Sequence, residues 1–147
     1  MGIDTHTRNL DWDRRFLDLA EHISGWSKDP RTKVGAVIVD EKKRVVSVGY
    51  NGFPRGVRDD DDRYEDRPTK HLFVAHAERN ALDNAPLQVE GCTLYATLMP
   101  CGECAKSIIQ KGIKTVVTHK PDRADSGYNW DATMMMFSES GVKIYFY

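Results

Sequence analysis

The sequence predicts an α/β fold of three layers, in which helices cover both faces of a five-stranded mixed sheet. Short runs rich in β-branched residues alternate with longer segments whose apolar residues recur at helical spacing. The first two runs, 33–39 and 44–50, are separated only by a polar turn, which predicts an antiparallel hairpin. Helical and strand-like segments alternate after the hairpin, and this favours a mixed sheet between helices.

The first part of the chain predicts one helix before the hairpin. Phe16 and Ile23 belong to a set of apolar residues at helical spacing, so we expect a helix over 11–25 that ends before Pro30. The strand over 33–39 is almost continuously apolar, which is typical of a strand covered on both faces.

The rest of the chain predicts three more helices and three more strands. Glycine or proline marks the end of each helical segment. In chain order we expect a helix over 75–86, a strand over 91–98, a helix over 101–112, a strand over 113–117, a helix over 130–139 and a strand over 142–147.

Residues 57–70 are the most polar part of the chain and include consecutive aspartates at 59–62. This composition predicts a solvated loop. The alternative is a mobile flap over a pocket, or a contact with a neighbouring subunit or an effector nucleotide.

Composition limits the classes of protein to consider. A chain of 147 residues fits a single domain over 1–147, and its formal charge of −1 disfavours stable nucleic-acid binding, which usually needs a basic excess. Three cysteines are too few for a disulfide framework, so we expect a reducing, cytoplasmic setting. No apolar run is long enough for a membrane span, and we expect no membrane contact.

Two short segments carry the chemistry, His76-Ala77-Glu78 and Pro100-Cys101-Gly102-Glu103-Cys104. A catalytic zinc takes three protein ligands and keeps one position for water, whereas a structural zinc usually takes four. His76, Cys101 and Cys104 supply three ligands, which leaves Glu78 to act as acid and base beside the ion. Because Cys101 and Cys104 are three apart after a proline, both sulfurs should project from one face of a helix start.

Other interpretations of these segments are open. A C-x-x-C pair is often a redox pair or half of a zinc finger, and a lone H-x-E occurs by chance in many helices. A structural zinc would take its fourth ligand from His71, Cys92 or His119. Cys92 lies in a predicted strand, where a small buried hydrophobe is expected.

Asn51 and Cys101 both follow predicted strands and His76 begins a helix, so one pocket can collect all three. An asparagine at a strand end has a backbone role, in an unusual turn conformation, or a functional role, as an amide that contacts a sugar hydroxyl.

Four segments, 27–35, 49–56, 76–81 and 100–106, resemble the corresponding blocks of the deoxycytidylate deaminases in the cytidine deaminase superfamily. The pattern H-x-E…P-C-x-x-C alone is shared by zinc nucleobase deaminases in general. The first two segments select the nucleotide branch, and the similarity extends over 11–147.

The resemblance implies a cytidine-deaminase-like fold and the hydrolytic deamination of dCMP to dUMP and ammonia, which feeds dTTP synthesis. It implies one catalytic Zn²⁺ per chain on His76, Cys101 and Cys104, with Glu78 as proton shuttle. Many relatives form hexamers that dCTP activates and dTTP inhibits. We therefore expect a homo-oligomer, hexamer or dimer, with dCTP and dTTP as candidate effectors.

Substrate and effector contacts follow from the same resemblance. Ser27, Lys28 and Tyr128 are expected at the 5′-phosphate and Asn51 at the sugar. The complete expected substrate-binding set is Asn51, Ser27, Lys28, Ala77, Pro100 and Tyr128. The candidate effector-binding residues are Gly52, Arg55 and Arg58.

The chain departs from many relatives at Val57 and Ala75, where a cysteine is common, so a second, structural zinc is not expected. The alternative functions are deamination of another cytosine nucleotide or nucleoside, dCTP as well as dCMP or cytidine, and deamination of a base within RNA, which the acidic charge disfavours. A non-catalytic nucleotide-sensing module with structural zinc is the alternative from a different class.

Overall fold

The computed structural model describes residues 8–121 and 130–147. Within them lie six helices and five strands. In chain order these are α1 (Leu10–Ser24), β1 (Gly35–Val39), β2 (Val45–Tyr50), α2 (Asp61–Glu65), α3 (Arg67–Phe73), α4 (Ala77–Asn84), β3 (Thr93–Ala96), α5 (Gly102–Gln110), β4 (Thr115–Thr118), α6 (Trp130–Ser140) and β5 (Lys143–Phe146). No helix in these two stretches combines the length and the apolar character that a membrane span requires.

The five strands form one mixed sheet in the order β2-β1-β3-β4-β5. β1 runs antiparallel to both β2 and β3, whereas β3, β4 and β5 run parallel to one another. The predicted hairpin and the predicted mixed sheet are both confirmed. Because of this topology, the start of β1 and the carboxyl ends of β2 and β3 lie at the same end of the sheet. At that end, Gly35 N–H donates to Thr97 Oγ1, just beyond β3, at 3.1 Å.

Helices cover both faces of the sheet. On one face, Val37, Tyr95 and Val117 pack with Phe16 and Leu17 of α1. The intervening residues of the same strands pack in a second cluster with α4, α5 and α6. Two cores on opposite sides of one sheet give the predicted α/β/α layering, because successive strand residues point to opposite faces.

The segment 57–70 is largely exposed to solvent, as predicted, but the prediction of a loop is wrong, since the segment contains α2 and the beginning of α3. Asp61 and Asp62 stand in the first turn of α2, where acidic residues interact favourably with the helix dipole. Pro68 lies in the first turn of α3, where a missing N–H has no cost. Tyr64 is buried and stacks on Phe53, with ring centroids 4.2 Å apart. One aromatic anchor therefore holds an otherwise polar segment in helical form.

A buried carboxylate attaches α1 to the sheet. Asp13 accepts hydrogen bonds from Tyr95 Oη at 2.7 Å, from Tyr147 Oη at 2.6 Å and from Arg8 Nε at 3.0 Å. Burial raises the pKa of Asp13, but the hydrogen bonds from these donors outweigh it and hold the pKa below its usual value. Asp13 is therefore ionised at neutral pH, and it links the helix to both β3 and the residue after β5.

We expect Asp13→Asn to lower the free energy of unfolding at pH 7 by about 2–4 kcal/mol, because it removes one charge from a buried ion pair. The pKa of Asp13 is lower in the folded protein than in the unfolded chain. Its stabilising effect is therefore complete above the unfolded pKa, about 3.9, and is lost as the pH falls through the folded pKa. Urea denaturation at pH 7 and below pH ~4 measures both effects. Asp18→Asn, at an exposed position of α1, is the control.

Candidate active site

The position of α4 is set by a close contact with β2. A Cβ atom at Gly49 would lie 2.4 Å from the backbone nitrogen of Ala81 and 2.5 Å from the carbonyl oxygen of Ala77, so only glycine allows this approach. Ser47 Oγ donates to the carbonyl of Ala81 at 2.7 Å, and Asn80 Nδ2 donates to the carbonyl of Tyr50 at 2.8 Å. The strand thereby fixes the helix whose first turn contains Glu78.

His76 and Cys101 occupy equivalent positions at the starts of two helices. Each is the N-cap residue, His76 of α4 and Cys101 of α5, and each has an extended backbone. The helix predicted from residue 75 begins at Ala77 instead, because Ala75 pairs with Gly52 in an isolated β-bridge. Two residues apart on a helix, His76 and Glu78 would point in opposite directions. The extended conformation at His76 removes this conflict.

His76, Cys101 and Cys104 form a compact group of metal-binding atoms. His76 Nδ1 lies 3.4 Å from Cys101 Sγ and 3.3 Å from Cys104 Sγ, and all three atoms lie within 4.8 Å of one another. Zinc bonds of about 2.3 Å to sulfur and about 2.0–2.1 Å to nitrogen, at tetrahedral angles, place nitrogen and sulfur about 3.5 Å apart. Both nitrogen–sulfur distances are therefore those that a zinc ion would require.

No fourth ligand completes this group within residues 8–121 and 130–147. His71, Cys92 and His119, the residues that a structural zinc could have used, lie in this part of the chain and are not members of the group. Three protein ligands with a fourth position left for water is the pattern of a catalytic zinc, and a structural zinc is usually closed by four.

The two thiols differ in protonation. The hydrogen bond from Cys104 lowers the pKa of Cys101 to about 4. The same interaction, together with burial, raises the pKa of Cys104. The hydrogen bond with Cys101 also raises the pKa of His76. In the absence of an ion, Cys101 is thus the thiolate of the group, already in the form that binds metal.

Glu78 lies beside these ligands as a buried acid. It lines the same cavity as His76 and Cys101, and the residue is 4% exposed. Burial raises the pKa of Glu78 to about 6. A carboxyl group that titrates near neutral pH can take up a proton and return it, which is the property required of a general base and acid.

A cavity of about 120 Å³ opens onto this group. His76, Glu78 and Cys101 line it together with Asn51 and Ala77. Apolar side chains contribute to the same wall, namely those of Val34, Val74, Leu98 and Met99. The cavity therefore combines ionisable groups with apolar surface, a combination suited to an aromatic heterocycle that carries polar groups.

Asn51 lies in the cavity wall, but its amide already has partners in the protein. Asn51 Oδ1 accepts from Val34 N–H at 2.9 Å, and Nδ2 donates to the carbonyl of Thr32 at 2.8 Å. The side chain therefore braces the backbone at 32–34, and Asn51 does not have the positive φ of an unusual turn conformation. Its oxygen keeps a second lone pair for a ligand. Contact with a sugar hydroxyl stays a prediction.

The other predicted substrate residues lie at different distances from the cavity. Ser27 is buried and donates from Oγ to the carbonyl of Asn51 at 2.8 Å, so it supports the cavity from behind. Lys28 is exposed and pairs with Asp59 at 3.1 Å. Ser27, Lys28 and Pro100 are not among the residues lining the cavity. Tyr128 lies outside the described residues. Their roles stay predictions.

The candidate effector residues lie on the segment that follows β2. Gly52 N–H donates to the carbonyl of Ala75 at 3.1 Å, and the carbonyl of Gly52 accepts from Ala75 N–H at 2.8 Å, directly before the ligand His76. Arg55 and Arg58 have exposed side chains, which bond Asn84 at 2.9 Å and Asp60 at 2.6 Å respectively. None of the three lines the cavity.

Sequence reasoning missed several cavity residues, above all Asp29, Thr32, Lys70 and His71. The usable signal is the segment resemblance over 27–35, which includes Asp29 and Thr32. His71 is noticeable only as a possible zinc ligand, and Lys70 is one charge within a polar segment.

Comparison with known proteins assigns the family. Residues 10–120 match the model of the cytidine and deoxycytidylate deaminase zinc-binding region. The chain belongs to this deaminase family. Together with the tetrahedral fit of His76, Cys101 and Cys104, the match confirms the predicted zinc cofactor.

Individual members of the deaminase family are similar over most of their length. A deaminase of Aliivibrio fischeri is 42% identical over 138 residues, covering 90% of this chain and 91% of the relative. Deoxycytidylate deaminase of Homo sapiens is 40% identical over 142 residues, covering 90% of this chain and 78% of the human protein. The crystal structure of dCMP deaminase from cyanophage S-TIM5 in complex with dCMP and dUMP superposes with a TM-score of 0.75 at 28% identity, covering 95% of this chain and 99% of the phage chain.

We expect Gly49→Ala to reduce the bound zinc of this deaminase to less than about half of one equivalent, because the new Cβ forces α4 and His76 away from the sheet. Gly102→Ala, at the start of α5, is the matched control, since the nearest atom to its Cβ would be 4.0 Å away. Metal content of the purified folded proteins gives the answer. Equal zinc in both variants would contradict the role of the Gly49 contact.

Proposed function

We propose that this chain is a zinc-dependent hydrolase that deaminates dCMP to dUMP and ammonia. The observation that carries the proposal is a three-ligand zinc group with a buried carboxyl group, Glu78, at the same cavity. Relatives that are named deoxycytidylate deaminases, and the phage dCMP deaminase with dCMP and dUMP, support this substrate. The chain over 1–147 would then act as one deaminase domain.

Zinc on His76, Cys101 and Cys104 supplies an activated water as the nucleophile at neutral pH. Glu78 takes a proton from the attacking water and delivers it to N3 of the cytosine ring, while oxygen forms a bond to C4. In the second half of the reaction Glu78 takes the proton of the new C4 hydroxyl and passes it to the amino group. The C4–N bond then breaks with release of ammonia, and the C4 carbonyl of the uracil ring forms. One carboxyl group serves both steps because its pKa of about 6 lies close to the working pH, so it takes up and releases a proton readily.

The chain's other cavity residues position the base. The apolar side chains of Val34 and Leu98 offer contact surface for the ring, and the backbone N–H groups at the start of α4 and near Cys101 are available to the base edge. Asn51 is held in place by Val34 and Thr32 and presents its second oxygen lone pair. We assign this oxygen to a sugar hydroxyl of the nucleotide.

We also propose that the protein is a homo-oligomer, hexamer or dimer, regulated by dCTP and dTTP, and that it acts in the cytoplasm. Exposed apolar side chains support an interface: Leu72 is 81% exposed and Trp26 53%.

Gly52, Arg55 and Arg58 are the proposed effector contacts, because they lie on the segment between β2 and the helices that lead to the metal site. Analytical ultracentrifugation with and without each nucleotide tests the assembly.

Substrate preference is measured by the loss of cytosine absorbance with zinc-loaded protein and five substrates: dCMP, CMP, dCTP, deoxycytidine and cytidine. Each assay is run with and without dCTP or dTTP. We expect dCMP to be converted with a kcat/KM about 10²-fold or more above that of deoxycytidine, because a 5′-phosphate adds charge-assisted contacts. Faster conversion of dCTP or cytidine than of dCMP would show that a different cytosine compound is the substrate. No conversion by the zinc-bound protein would favour the non-catalytic module.

We expect Glu78→Gln to keep its zinc and to lower kcat by about 10²–10⁴-fold, because the amide cannot carry the proton. Glu103→Gln is the matched control, since Glu103 lies between the two cysteine ligands but its side chain is 80% exposed. Initial rates with dCMP and metal analysis of both variants make the test. Full activity of Glu78→Gln would remove Glu78 from the mechanism.

A further inference from the structure

A buried ion pair outside the metal group joins two sides of the cavity. Lys70 Nζ lies 2.7 Å from Asp29 Oδ2, and the two side chains are 12% and 1% exposed. Both residues line the same cavity as Glu78. The mechanism above uses neither residue. A pair of charges this deeply buried is costly to form and is retained only where its geometry and its other hydrogen bonds are good.

The Asp29 carboxylate is hydrogen-bonded to residues on one side of the cavity. Its Oδ1 accepts from Arg31 N–H at 2.9 Å and from Thr32 N–H at 3.2 Å, and its Oδ2 lies 3.4 Å from Asn51 Nδ2. The carboxylate thus bonds the segment that carries Thr32 and also the amide that we assign to the sugar. Lys70 is the fourth group on the same carboxylate, and it comes from the opposite wall.

Lys70 belongs to a helix with little other attachment. α3 has no buried residue and packs against α2 but against no other helix or strand among the described elements. At its end, Phe73 makes an edge contact with Phe53, with ring centroids 5.8 Å apart, and Ala75 pairs with Gly52. Within residues 8–121 and 130–147, the contact between Lys70 and Asp29 is the one side-chain ion pair that joins α3 to the part of the chain before α2.

The position of α3 determines the shape of the cavity. Lys70, His71 and Val74, at the end of this helix, line the cavity together with Asn51 and Glu78. If α3 moved away, the cavity would lose these three residues of its wall, but the metal ligands on α4 and α5 would keep their places. Substrate binding would therefore suffer more than the chemical step.

We propose that Asp29 and Lys70 are positioning residues for substrate binding, whose ion pair holds α3 as a wall of the cavity and ties that wall to Asn51. The inference rests on the proposed function only for the choice of dCMP as substrate. Neither residue is required to touch the reacting atoms. Removing either partner releases the same contact, so the two residues act as a unit.

The kinetic test compares Lys70→Met, Asp29→Asn and the double variant with the conservative Lys70→Arg, all as zinc-loaded full-length protein. Each of the first three should raise KM for dCMP about tenfold or more, with kcat within about threefold of wild type. The double variant should resemble the single ones, because the pair is already broken. Lys70→Arg, which keeps the charge, should stay within about threefold of wild type in KM.

Arg44→Met is the matched control. It breaks the Arg44–Asp40 ion pair of 2.6 Å, which lies in the turn between β1 and β2 at the other end of the hairpin from Asn51. This variant should leave KM and kcat unchanged. Metal analysis of every variant distinguishes a displacement of α3 from a loss of zinc.

Amide hydrogen exchange without nucleotide tests the pair independently of activity. Asp29→Asn and Lys70→Met should speed amide exchange over 67–74 about tenfold and leave exchange in α4 and α5 as in wild type. The Arg44→Met control should exchange like wild type throughout. Unchanged exchange over 67–74, or a fall in kcat at constant KM, would overturn the proposal. If wild type fails to deaminate dCMP, the proposed function is rejected, and the exchange experiment still decides the role of the pair.

Discussion

The contact between β2 and α4 at Gly49 is the constraint on which the site depends. Because no side chain separates strand from helix there, the backbone of α4 lies directly on the sheet and its first turn is held at the sheet edge. The metal group needs donor atoms within a few tenths of an ångström of their ideal separations, and a flexible loop would not supply this accuracy. A helix that packs directly on a sheet can supply this accuracy.

The two sides of the cavity are built differently. One side consists of residues at the ends of strands and helices that pack in the main core, such as Val34, Ala77 and Met99. The other side comes from α3, which has no buried residue and depends on a few specific contacts. Rigid metal geometry and a separately attached wall therefore coexist, which allows the chemistry to be fixed while the fit to the substrate is adjusted independently.

Sequence reasoning found the metal group because its members are close in the chain and chemically distinctive. His76 and Glu78 are two apart, Cys101 and Cys104 three apart, and few other functions need that set. The layered fold was equally accessible, since strand and helix periodicities are local. The Asp29–Lys70 pair was not, because its members are far apart in the chain and each looks like an ordinary surface charge. The helices over 61–73 were missed for a related reason, as their stability depends on Phe53, which lies outside them.

The unequal protonation of the two cysteines couples zinc to acidity. Without an ion, the pKa of Cys101 is lowered and that of Cys104 is raised, so Cys104 is the thiol of the two that keeps its proton. Zinc needs both sulfurs deprotonated, so each ion that binds must expel the Cys104 proton into solution. Zinc affinity therefore falls as the medium becomes more acidic, and the heat of metal binding depends on the buffer that accepts the proton.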